Sequence, residues 1–77
     1  MSDLASYTRA YVAAMKMTPA ERRRGLFDLF TSCGFVFSPD KSRVVRVAAQ
    51  GDPLARLSSL MKDRFPVAYL AFKRNLS

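Results

Sequence analysis

Gly34-Phe35-Val36-Phe37-Ser38-Pro39-Asp40-Lys41-Ser42-Arg43-Val44-Val45-Arg46-Val47 is the stretch on which the fold class depends. Before Gly34 apolar side chains recur at helical steps; after it they recur every second residue. Phe35 and Phe37, then Val45 and Val47, can share one face of a two-stranded ribbon. Ser38 to Ser42 supply the residues that favour a tight turn between them. The stretch therefore predicts a β-hairpin, with Arg46 on the face opposite Val45 and Val47. Gly34 stands where a residue of positive φ commonly closes a helix.

Upstream, Leu4, Tyr7, Tyr11, Val12 and Met15 fall at three- and four-residue steps, which predicts a first helix from Asp3 to Lys16 with those side chains inward. Thr18-Pro19-Ala20-Glu21 reads as a capping box with proline at the first helical position, so a second helix is expected from Pro19. Its apolar face is Leu26, Phe27, Leu29, Phe30 and Cys33, and the two helices are expected to form a hairpin. Gly25 interrupts the second helix at a cost of about 1 kcal/mol relative to alanine, which suggests a close approach by the first helix or by a partner.

Downstream, Asp52 as cap and Pro53 at the first helical position predict a third helix carrying Leu54, Leu57, Met61 and Phe65 inward. The run from Pro66 to Leu76 admits two readings. Val67 to Phe72 is rich in strand formers, while Ala68, Phe72 and Leu76 continue the stripe of the third helix across a kink or restart at Pro66. The helical reading is preferred; the competing third strand would have supported the hairpin.

Composition bounds what such a chain does. Its 77 residues leave room for one core and hence one domain. Hydrophobic residues at 49% and charged residues at 25% give an ordinary globular balance rather than that of a disordered chain. A lone cysteine excludes an intrachain disulfide and points to a reducing, cytoplasmic setting. The start Met1-Ser2-Asp3 lacks a secretion signal, and no apolar run approaches the roughly 18 residues of a membrane span.

Catalysis is disfavoured. The chain has no histidine, so the commonest general base and metal ligand is missing. One cysteine cannot build a thiolate zinc set, and Cys33, on the apolar face of its helix, has no base to activate it. The six carboxylates fall at caps, turns and helix surfaces and suggest no acid/base pair, and the three glycines form no phosphate loop. No catalytic residue, metal or cofactor is expected.

What remains is charge. Thirteen Lys and Arg against six Asp and Glu give a net +7, and nine of the thirteen are arginine, the side chain suited to bidentate contacts with phosphate or carboxylate. Arg22-Arg23-Arg24 stand near the positive end of the second helix, against local electrostatics, where an anion would meet guanidinium groups and free backbone amides together. Pairing with Glu21, Asp28 or a neighbouring segment is the bland alternative. Lys41, Arg43 and Arg46 make the hairpin a second basic group, although such residues also protect strand edges. Lys62, Arg64, Lys73 and Arg74 would extend a stripe from it. The aromatic side chains match core spacing better than stacking platforms for bases.

The sequence thus describes a small α+β domain over residues 1–77: a helical hairpin, a β-hairpin and a C-terminal helix, the last element being helix or third strand. The expected function is binding of nucleic acid or a nucleoprotein through Arg22, Arg23, Arg24, Lys41, Arg43 and Arg46, by phosphate contacts. The alternative is a protein-interaction module, a modulator or accessory subunit that docks on an acidic protein surface with help from Val36 and Val44. A homo-oligomer is compatible with both.

Overall fold

Gly34 separates the two periodicities because its backbone occupies φ +104°, a region that side chains rarely enter. Its N–H closes the preceding helix on Thr31, and its carbonyl accepts the N–H of Ala48, which seals the open end of the hairpin. A Cβ at Gly34 would lie 2.8 Å from the Cβ of Ala48. In the computed structural model, which describes residues 4–48 and 50–76, the chain order is α1 (Leu4–Lys16), a 3-10 turn (Ala20–Arg22), α2 (Arg23–Ser32), β1 (Phe35–Phe37), β2 (Val44–Val47), α3 (Pro53–Arg64) and α4 (Pro66–Asn75). This is the expected small α+β domain. The predicted start of the first helix at Asp3 lies outside the described residues.

The two strands are antiparallel, with Phe35 opposite Val47, Val36 opposite Arg46 and Phe37 opposite Val44. Val45 is thus an extra residue on β2, a bulge that reverses the alternation within that strand. The consequence corrects the sequence reading: Val44, not Val45, points inward, with Val44 at 3% exposure and Val45 at 40%. Strict alternation from Val47 had assigned them the other way.

Phe30 is the centre of the core. Its ring meets Tyr11 of α1, Phe35 and Phe37 of β1, and Phe72 of α4 in edge-to-face contacts with centroids 5.2 to 6.0 Å apart. One side chain of α2 therefore joins four elements. The hairpin, too short to stand by itself, is held by this cluster and by the N–H of Val44 donating to the Thr8 hydroxyl of α1.

The buried face of α1 differs from the expected one. Ala10 and Ala14 are fully buried with Tyr11, whereas Leu4 and Val12 are exposed. Counting large apolar residues had overlooked the alanines, whose small side chains let another helix come close. That helix is α4, along which α1 lies, and Ala68 of α4 is buried as well. The expected helical hairpin of α1 and α2 is therefore replaced by the pairing of α1 with α4, and α1 meets α2 through the Tyr11 and Phe30 rings and the Arg23 hydrogen bond to the Met15 carbonyl.

The capping box is not made. Pro19 has φ −54° and ψ 145°, outside the helical region, and Thr18 turns inward, where its buried hydroxyl donates to the Ala14 carbonyl at 2.8 Å. Thr18 therefore closes the end of α1 instead of opening α2. The second helix enters through the 3-10 turn and becomes α-helical only at Arg23. By contrast, Asp52 caps α3 as expected, accepting the N–H of Ala55 at 3.1 Å with Pro53 behind it. Phe65 then breaks the helix at φ −136° and Pro66 restarts it, so the last element is a helix with Ala68 and Phe72 inward. Cys33 is buried in the common core. No helix among the described residues is long and apolar enough to cross a membrane.

Candidate anion-binding cleft

The turn between β1 and β2 is built from its own polar side chains. The Ser38 hydroxyl donates to Asp40 Oδ1 at 2.6 Å, and the same oxygen accepts from the N–H and the hydroxyl of Ser42 at 3.1 and 2.7 Å. These hydrogen bonds to the carboxylate, reinforced by the charge of Arg43, lower the Asp40 pKa to about 2. Lys41, between the two serines, is driven to φ 61°, a left-handed conformation unusual for a residue with a side chain. Its N–H bonds the Ser38 carbonyl, and its own carbonyl accepts the Tyr11 hydroxyl. The Lys41 side chain lies across α2, with its ammonium 4.9 Å from the centre of the Phe27 ring.

A cleft of about 540 Å³ results between α1, the start of α2 and this turn, lined by Tyr11, Met15, Arg23, Arg24, Phe27, Asp28 and Lys41. Three cations face one carboxylate across it. Tyr11 is nearly buried, and burial raises its pKa, so its phenol stays protonated and donates to the turn. Phe27 is half-buried beneath Lys41, which leaves little aromatic face for a base to stack upon.

The arginine triplet divides by position. Arg22 folds over the Phe65 ring, its guanidinium carbon 4.6 Å from the ring centre, and donates to the carbonyl of Arg64 at 3.2 Å. Arg23 donates through Nε to the carbonyls of Met15 and Thr18, both at 3.0 Å. The local conflict with the α2 dipole is thereby offset, since these cations serve the carboxyl-terminal ends of α3 and α1. Arg24 is exposed and reaches the cleft.

The six residues singled out from the sequence do not line one cleft. Arg23, Arg24 and Lys41 meet at the cleft. Arg22 lies in a separate groove beside Phe65, Arg43 lines a depression with Arg9 and Thr8, and Arg46 borders another with Val36 and Ala48. Lys62, Arg64, Lys73 and Arg74 are exposed, but none lines the cleft. Val44, offered above as an apolar contact for a protein partner, is buried and unavailable; Val36 is exposed.

Sequence reasoning had named Asp28 as a partner for the arginine triplet, and the cleft does bring it beside Arg23 and Arg24, but it missed Phe27 as their neighbour. The position of Phe27 three residues after Arg24, on one helix face, carried that signal. The approach of Lys41 had no signal in local spacing. No family model, curated protein or solved structure matches this chain, so the functional reading rests on the geometry of the cleft.

Proposed function

We propose that the protein is a non-catalytic binding module that holds a nucleic-acid backbone by its phosphates, with Arg24 and Lys41 as the principal contacts and Arg23 as a supporting cation. One observation carries this reading: two exposed cations from distant parts of the sequence, one on a helix and one on a hairpin turn, line the same cleft. The net charge of +7 supplies the long-range attraction for a polyanion. The Lys41 ammonium over the Phe27 ring favours phosphate contact over base stacking in the cleft, and Asp28 in the wall confines an incoming phosphate to the side of Arg24 and Lys41.

Titration of short single- and double-stranded DNA and RNA across a salt series, followed by fluorescence anisotropy, tests the reading. Binding should weaken log-linearly with salt, and the Arg24→Gln/Lys41→Gln double variant should bind more weakly with a salt slope smaller by about two, one for each lost phosphate contact. Both positions are exposed, so folding is expected to survive. Absence of binding at low salt, or binding that the double variant leaves unchanged, would overturn it.

A further inference from the structure

Three large apolar side chains remain exposed on the side of the molecule where α1 ends and α4 begins: Met17 and Val67 at 53% and Leu70 at 59%. Met17 and Val67 line one groove, of about 320 Å³, together with Thr18, Pro19, Arg22, Phe65, Pro66 and Ala68. Leu70 stands three residues after Val67 on α4 and extends the apolar strip along the helix. None of the lining residues is acidic, and the groove shares none with the cleft of Arg24 and Lys41.

Arg22 gives this groove its chemistry. Its guanidinium is held over the Phe65 ring and tethered to the Arg64 carbonyl through a single nitrogen, Nη2, so most of its N–H donors stay available in a fixed position. A cation already ordered at an apolar groove loses little side-chain entropy when it pairs with a carboxylate. Lys16, exposed and next to Met17 in the chain, adds positive charge at the end of α1 without lining the groove.

We infer that this groove docks an acidic segment of a protein partner, one that places a large apolar side chain against Met17 and Val67 and a neighbouring carboxylate on Arg22. A second copy of this chain fits poorly, because apposing the same face would set Arg22 against Arg22 on molecules of net charge +7. A bilayer fits poorly because the apolar surface is concave around Phe65 and Ala68. The docking is independent of the nucleic-acid reading, since it uses different residues.

The test is an amide NMR titration of the full chain with the peptide acetyl-Glu-Asp-Leu-Glu-Asp-Phe-Glu, against a control with serine in place of leucine and phenylalanine. Shifts centred on Met17, Val67 and Leu70 are expected from the first peptide and not from the second. Val67→Ser and Arg22→Gln should each weaken binding about tenfold or more, the size of a typical anchor truncation, while Arg24→Gln/Lys41→Gln leaves it within about twofold. Val67 and Arg22 are exposed, and the spectrum of each variant reports its fold directly. Several results would overturn the inference: equal binding of both peptides, shifts confined to the Arg24 and Lys41 cleft, no shifts at all, or the same residues responding instead to phosphatidylserine vesicles or to protein concentration.

Discussion

The hydroxyl of Tyr11 in α1 lies 3.2 Å from the backbone carbonyl of Lys41 and donates to it, joining a helix near the start of the chain to the tip of the hairpin. Lys41 occupies an unfavourable backbone conformation, so this contact helps hold the residue that brings its ammonium to the cleft. Tyr11→Phe keeps the ring and removes the bond. It should lower stability by about 1 kcal/mol in urea unfolding and weaken nucleic-acid binding severalfold without abolishing it.

Tyr11 also sets an alkaline limit. Burial raises its pKa above the unfolded value of about 10, so its contribution to stability is complete below that pH and is lost as pH rises through the folded value. Urea midpoints compared on either side of about pH 10 should fall more for the native protein than for Tyr11→Phe. Equal falls would show that the phenol is not the responsible group.

Asp40 acts at the opposite end of the scale. Its pKa of about 2 is lower than that of a free carboxylate, so the stability it confers is present above the unfolded value and fades as pH drops through about 2. The Ser42 amide proton, bonded to this carboxylate, should titrate in NMR spectra with a midpoint near 2 rather than at the usual aspartate value. Asp40→Asn should abolish that titration and loosen the turn around Lys41.

The glycines of α2 and its end should respond oppositely to alanine. At Gly25 a new Cβ meets only the Phe65 ring, at an ordinary contact distance of 3.6 Å. The helix closes no tighter there than alanine allows, which removes the close approach suggested by the sequence. Gly25→Ala should therefore stabilise by about 0.5 to 1 kcal/mol. Gly34→Ala should destabilise by about 1 to 3 kcal/mol, because φ is positive and Ala48 occupies the space. Thermal unfolding of the two variants, measured side by side, decides both.

Thr18 and Asp52 look alike in the sequence, each before a proline, yet only Asp52 caps. Asp52→Ala should cost about 1 kcal/mol. Thr18→Asp would be neutral or helpful at a true cap, but here it replaces the donor to the Ala14 carbonyl with a carboxylate in a buried position, setting two acceptors against each other. A loss of about 2 kcal/mol or more is expected in chemical unfolding, and retention of native stability would restore the capping box.

The elements whose cause is local were legible in the residues themselves. Gly34 ends α2 because positive φ favours glycine, Asp52 and Pro53 start α3 because a side-chain oxygen and a fixed φ suit that site, and Pro66 restarts α4 where a proline amide has no bond to lose. These are short-range effects, complete within a few residues. Tertiary structure decided what depends on neighbours far along the chain. Thr18 abandons its cap for a buried carbonyl, the bulge at Val45 turns Val44 inward, and Ala10 and Ala14 replace Leu4 and Val12 in the core where α4 comes close. The same holds for the basic residues. Arg22, Arg23 and Arg24 are consecutive in sequence, yet Arg22 faces Phe65 whereas Arg23, tied to the end of α1, and Arg24 line the cleft, because the 3-10 turn and the helix rotate each successive side chain by about 100 to 120°. Only packing of the hairpin against α1 and α2 brought Lys41 to the side of Arg24.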